Sequence, residues 1–240
     1  MDYAEYVRGV SFRLCQPHSD PSGFNGLQWR LRRFPVPLEV LNTRLPAGGL
    51  RTRRRLRGLY HFPRMSTFAV GAMINEGVRR MPAGQCFVNV GVWCGYTLLA
   101  GMVGNAEKAC IGVDNFSEFG APRRRFFAGF NQRKSPNHRF YEMDYADYFG
   151  SVHEGPIGFY IYDGSHDYEN QLRGLRVAEP FFAKGCVVMV DDTNWDAPRQ
   201  ATLDFVAGSS YGYQVLLDET TYANVHPTLW NGLMILRRVE

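Results

Sequence analysis

Residues 157–192 read IGFYIYDGSHDYENQLRGLRVAEPFFAKGCVVMVDD. From Ile157 the run is apolar or aromatic until Asp163. A run of that length without polar alternation predicts a strand buried on both faces. Tyr168 to Phe182 spaces its apolar residues as a helix does. The stretch 185–192, GCVVMVDD, is a second strand of the first kind. A strand, a helix and a strand in that order make a β-α-β unit, whose strands lie parallel because the connection is too long for a hairpin.

Outward from this unit the alternation continues. Upstream, CFVNVGV (86–92), ACIGVD (109–114) and RFYEMD (139–144) read as strands. YTLLAGMV (96–103) and PRRRFFAGFNQ (122–132) read as helices. Before them STFAVGAMINEGVRRM places Phe68, Val70, Met73, Ile74 and Val78 near helical spacing, with Ser66 or Thr67 as cap. Downstream, APRQATLDFVAG (197–208) reads as a helix. YQVLLDE (213–219) and GLMILRR (232–238) read as two strands joined by a hairpin-like excursion. The segment YADYFG after Asp144 is acidic and aromatic and is given no element. The fold class is therefore α/β: a mostly parallel sheet with helices on both faces and an antiparallel hairpin strand at its C-terminal end.

The chain has 240 residues, 45% of them hydrophobic, enough for one sizeable core. No apolar run is long enough to span a bilayer, and Met1–Cys15 lacks the pattern of a signal peptide. No membrane partner is expected. Five cysteines are scattered without zinc spacing, and Cys86, Cys110 and Cys186 fall in apolar runs, so a reduced, cytoplasmic protein is expected. The charge is uneven. Residues 1–80 hold fourteen arginines, no lysine and five acids, a net +9, against −5 for the rest. The densest cluster is RTRRRLR at 51–57. It suits either a phosphate-bearing partner or a solvated, self-pairing arm, and the chain-wide preference for Arg over Lys favours the second. The first 64 residues, rich in Arg, Pro and Gly, are expected to form an arm or lid over a domain spanning 65–240.

Four predicted strands end in aspartate: Asp114, Asp144, Asp163 and Asp191. Aspartate is a common loop-starting residue. In a parallel sheet, though, strand ends share one edge, and ligands bind beyond the carboxyl edge. The run VNVGVWCGYTLLA (88–100) passes from strand to helix through Gly91 and Gly95, which permit a tight turn and close backbone approach. The glycine spacing is not that of a dinucleotide-binding turn. The adjacent Asp191 and Asp192 form a costly pair without a nearby cation. His166 lies three residues after Asp163, and an imidazole suits a base at neutral pH.

These residues resemble class I S-adenosylmethionine-dependent O-methyltransferases of the metal-dependent, catechol and caffeoyl type, closest to the macrolide-sugar and aminocoumarin enzymes. Gly91, Trp93, Cys94, Gly95, Tyr96 and Thr97 match the first cofactor motif. Asn89 stands where the family usually has Glu. The resemblance covers residues 65–240 and implies a Rossmann-like fold. It implies that Asn89, Gly91, Trp93, Gly95, Tyr96 and Thr97 hold S-adenosylmethionine, with Asp114 and Asn115 at the ribose and Tyr145 with Asp144, or Asp147 in its place, at the adenine. It also implies that Asp163, Asp191 and Asp192 hold Mg²⁺ or another hard divalent cation, with His166 as general base beside Asp163. Its acceptor would be a hydroxyl of a small sugar- or polyol-like metabolite. Tyr168, Trp195, Tyr222, His226 and Trp230 are candidates for the acceptor's wall. Two alternatives stand beside this reading. One is an RNA-binding or RNA-modifying protein using the basic arm, weakened by the acidic rim. The other is a non-catalytic cofactor-binding module, suggested by Asn89. A homo-oligomer is compatible with either.

Overall fold

The structure, a computed structural model, describes every residue except 47, 121 and 240. Its centre is a seven-stranded sheet. In chain order the strands are β1 (Cys86–Val90), β2 (Ala109–Val113), β3 (His138–Tyr141), β4 (Ile157–Tyr162), β5 (Phe182–Asp191), β6 (Tyr213–Glu219) and β7 (Leu233–Arg238). Their spatial order is β3-β2-β1-β4-β5-β7-β6. The first five are mutually parallel. β7 runs antiparallel between β5 and β6. The order reverses between β1 and β4, so the crevice where ligands bind in such sheets opens at their carboxyl ends.

The helices are α1 (Phe68–Arg80), α2 (Tyr96–Met102), α3 (Arg123–Arg133), α4 (Tyr145–Ser151), α5 (Tyr168–Ala178) and α6 (Asp196–Gly208). Thr67 caps α1 by accepting from the Val70 amide, which satisfies one of the free N–H groups every helix start leaves. Successive strand residues point to opposite faces, and the core divides accordingly. Phe87, Phe159, Ile161, Val187 and Met189 pack on one side with α1 and α2. Val88, Val90, Tyr160, Tyr162, Val188 and Val190 pack on the other with Leu172, Leu175 and Phe205. Gly77 lets α1 lie close to the sheet, since a β carbon there would come within 2.1 Å of the Phe159 ring.

Residues 1–64 include short helices, among them Tyr3–Gly9, Ser22–Arg30 and Gly49–Leu56. Part of this region enters the main core: Tyr3, Tyr6, Val7, Leu56 and Leu59 are buried with α1, and Tyr3 meets Phe159 edge-on at 5.9 Å. The arginine cluster divides by partner. Arg53 donates to the Val40 and Thr43 carbonyls, and Arg55 to Asn75 and Glu76. Arg51, Arg54 and Arg57 are exposed. All five cysteines are free and buried. Among the described residues no helix is long and apolar enough to cross a membrane.

Candidate active site

The carboxyl ends of the parallel strands open into a cavity of about 490 Å³. All four strand-end aspartates line it, together with Asp192 and His166. This convergence follows from topology: the strands are parallel, so their C-terminal loops share one edge.

One half is built on the turn after β1. Gly91 has φ of 74°, in the left-handed region, and Trp93 adopts φ of 45°. Gly95 caps α2 at φ of 102°. Glycine takes such conformations without a side-chain clash. Asp114 closes the turn, its carboxylate accepting from the Val92 and Trp93 amides at 2.8 and 2.9 Å and from the Phe116 amide at 2.7 Å. It is thus both a loop organiser and a cavity residue. Oδ2 takes two of these bonds and Oδ1 one, so of the four acceptor sites a single one, on Oδ1, remains for a ribose hydroxyl. Asn115 lines the cavity beside it while accepting from Ser117. Asp144 caps α4 through Oδ1, accepting from Ala146 at 2.7 Å. Tyr145 lines the same wall and donates to Asn170.

Asn89, Gly95, Tyr96 and Thr97 are not in the lining. Asn89 is fully buried beneath the turn, its amide nitrogen donating to the Val90 and Gly91 carbonyls at 3.2 Å and its Oδ1 unpaired. Tyr96 points back to α1 and donates to the Thr67 carbonyl. These residues support the turn from behind.

The other half is acidic. His166 Nε2 stands 3.2 Å from Asp192 Oδ2 and 3.6 Å from Asp163 Oδ1. Burial pushes the Asp163 carboxyl up to about 6, against the pull of His166, with Asp192 and Asp114 adding to the rise. Asp191 is pushed well above the usual carboxylate range by burial, then by Asp163 and Asp192. Asp192 is raised by burial, less so because His166 and Asn231 oppose it. Burial alone would lower the His166 imidazole, yet Asp163 and Asp192 outweigh it and hold it above 6.5. Asp192 sits at φ of 60°, a strained conformation for a non-glycine residue. It is held there as Asn231 Nδ2 donates to its Oδ1 at 2.7 Å and its amide donates to Asp191 Oδ1.

Carboxylates are the oxygen ligands a hard divalent cation takes while keeping positions for water and substrate, and here two, Asp191 and Asp192, are buried and the third, Asp163, is half-buried. Among the described residues, though, no three His, Cys, Asp or Glu side chains already converge as a metal cage. His166 Nε2 instead lies between two of these carboxylates, Asp163 and Asp192.

Of the proposed wall, Trp195 and Trp230 line the cavity, and Trp195 meets His166 at 5.9 Å between ring centroids. Tyr168 instead donates to Asp204, Tyr222 faces solvent, and His226 is buried against Thr228 and Ser19. Sequence reading missed Asn231 and Gln171. Asn231 lies 39 residues from Asp192 in the chain, and no motif joins the two. Gln171 is fully buried, beside His166, with neither amide atom paired, and His166 Nδ1 is likewise buried and unpaired.

Residues 88–193 match the family model described as a methyltransferase domain. No curated protein matches the chain. Among solved structures, a protein from Corynebacterium glutamicum superposes with a TM-score of 0.59 at 15% identity, covering 91% of this chain and 98% of that one. The cofactor-bound Rv0187 from MTB gives 0.57 at 12% identity, covering 92% and 98%. The O-methyltransferase from Bacillus cereus in complex with SAH gives 0.51 at 12% identity, covering 90% and 97%. The matched segment runs from β1 to just past β5, and these solved structures share the chain's fold.

Proposed function

We propose that this chain transfers a methyl group from S-adenosylmethionine to a hydroxyl oxygen of a small sugar- or polyol-like metabolite, assisted by a divalent cation. The observation that carries the reading is His166 Nε2 poised between Asp163 and Asp192 in the same cavity as Gly91 and Asp114.

Gly91 and Trp93 would cradle the donor's amino-acid end, Asp114 and Asn115 its ribose, and Asp144 and Tyr145 its adenine. When bound, the donor supplies an electrophilic methyl group on a sulfonium sulfur. Asp163, Asp191 and Asp192 would hold the cation, which would lower the pKa of an acceptor hydroxyl. His166 then accepts the hydroxyl proton at Nε2, and Asp163 and Asp192 stabilise the imidazolium that forms. Gln171, buried beside His166, would hold the imidazole by pairing with the Nδ1 that has no other partner. Trp195 and Trp230 flank the acceptor and exclude water. Little covalent work is left to the protein, so acceleration rests on aligning oxygen, carbon and sulfur.

The test is calorimetry with S-adenosylhomocysteine on wild type and Asp192→Ala, with and without Mg²⁺, beside a methylation screen over hydroxyl acceptors. Binding with Mg²⁺-dependent turnover that Asp192→Ala loses supports the reading. Absence of cofactor binding ends it. Cofactor binding with no turnover on any hydroxyl leaves a binding module instead.

A further inference from the structure

The helix Ser22–Arg30 buries none of its residues. Phe24 and Gln28 are half-buried, and the chain from Trp29 to Pro35 is exposed throughout. The exposed residues include large apolar ones: Trp29 at 68%, with Leu27, Leu31 and Phe34. Interleaved with them are Arg30, Arg32 and Arg33, and residues 21–35, PSGFNGLQWRLRRFP, hold no acid. The Arg32 guanidinium lies over the Trp29 ring at 5.2 Å. A nine-residue helix is too short to be stable in water by itself, and helices in proteins normally draw stability from a packed apolar face. Here the apolar residues, Leu27 and Trp29 in the helix and Leu31 and Phe34 just beyond it, are exposed among the arginines instead of packed on the body.

We propose that this segment docks on an anionic lipid surface. Trp29, Leu27, Leu31 and Phe34 enter the boundary between headgroups and acyl chains, and the three arginines meet lipid phosphates. Two other occupants fit less well. A second copy related by a two-fold axis would set three arginines against three, with no acid in the segment to offset them. A nucleic-acid strand would use the arginines and stack on Trp29, but it has no use for the exposed aliphatic Leu27 and Leu31. A phosphate-bearing lipid surface uses every exposed group.

The location gives the patch a consequence. The segment leaves the body just after Pro17 and Ser19. Both are tied to the excursion between β6 and β7: the Tyr222 amide donates to the Pro17 carbonyl at 2.8 Å, and His226 Nε2 pairs with the Ser19 carbonyl at 3.0 Å. Val225 of that excursion lines the active-site cavity. The segment is thus tied to the excursion that forms part of the cavity's lining. The expectation of no membrane partner rested on the lack of a spanning run, and a helix lying in the interface needs no such run.

The experiment is co-sedimentation of the full chain with phosphatidylglycerol vesicles and with phosphatidylcholine vesicles. The expected result is binding to the first only, weakening as salt rises. Arg30→Ser, Arg32→Ser and Arg33→Ser should each weaken it about fivefold, and Trp29→Ser with Leu31→Ser by about tenfold or more. All these positions are exposed, and unchanged melting temperatures will show that the variants fold. Equal binding to both vesicles, or to neither, overturns the proposal. So does a dimer in solution that Trp29→Ser dissociates. Tight binding of a single-stranded RNA probe, unaffected by Leu27→Ser and Leu31→Ser, overturns it as well.

Discussion

Gly91 lies directly against the backbone of Asp163, so closely that a β carbon on Gly91 would fall 1.9 Å from the Asp163 carbonyl oxygen. The cofactor turn and the acidic half of the site are thus fixed to each other by backbone contact, and the Asp163 amide also donates to the Val90 carbonyl at 2.9 Å. Backbone cannot swing aside as a side chain can. Gly91→Ala is therefore expected to separate the two halves. It should weaken S-adenosylhomocysteine binding at least tenfold and, with its φ of 74°, lose roughly 1–3 kcal/mol of stability. Calorimetry and thermal melts on the same sample check both.

His166→Ala should reduce turnover by roughly 10²- to 10⁴-fold, the usual contribution of a positioned base. The imidazole faces the acid cluster rather than the Gly91 turn, so affinity for S-adenosylhomocysteine should stay within about threefold, below the typical cost of a lost hydrogen bond. Gln171→Leu should lower turnover less, roughly tenfold, since it frees the ring without removing it. Gln171→Glu should restore part of the loss, because a carboxylate can still accept from Nδ1. Turnover that Gln171→Leu leaves untouched would deny it a positioning role.

Much of this arrangement is legible in the sequence. Val88, Val90, Tyr160, Tyr162, Val188 and Val190 belong to near-continuous apolar runs, which only strands buried on both faces need. Asp114, Asp144, Asp163 and Asp191 reach one rim because parallel strands must end together. Other features were hidden. The helix Tyr145–Ser151 spans seven residues, too few for a clear period, and its cap, Asp144, reads equally well as a ligand. The helix reading through Phe182 ran too far. α5 ends at Ala178, and Pro180, lacking an N–H donor, lies in the short 3₁₀ turn Glu179–Phe181. Asn231 reaches Asp192 only through the β5–β7 pairing, which no local pattern encodes.

Asp191 is 5% exposed, and its nearest charges are two other carboxylates. Burial of like charges works against the fold, and binding sites often hold such strain at the expense of stability. Asp191→Asn removes one negative charge while keeping an oxygen that accepts from the Asp192 amide. In chelator at neutral pH it should stabilise the protein by about 1–2 kcal/mol, a rise of about 2–8 °C in melting temperature. Methyl transfer should fall. A variant that melts lower than wild type would mean that the cluster is better compensated than its surroundings indicate.

Glu76 on α1 joins the N-terminal region to the domain. It accepts from Arg79 and Arg80 on its own helix and from Arg55 on the Gly49–Leu56 helix at 3.2 Å. Burial by itself would raise its carboxyl, but the Arg79 and Arg80 guanidiniums together hold it below the ordinary 4.5. A carboxyl lowered in the folded state binds protons less readily there than in the unfolded chain. Its stabilisation is therefore complete above pH 4.5 and drains away as pH falls through the lowered folded value. Glu76→Gln should destabilise the protein by roughly 1–3 kcal/mol at neutral pH, because three guanidiniums lose their shared anion. The gap between variant and wild type should narrow steadily in melts taken at successively lower pH below 4.5. A gap that stays constant with pH would assign the loss to packing instead of to the ion pairs.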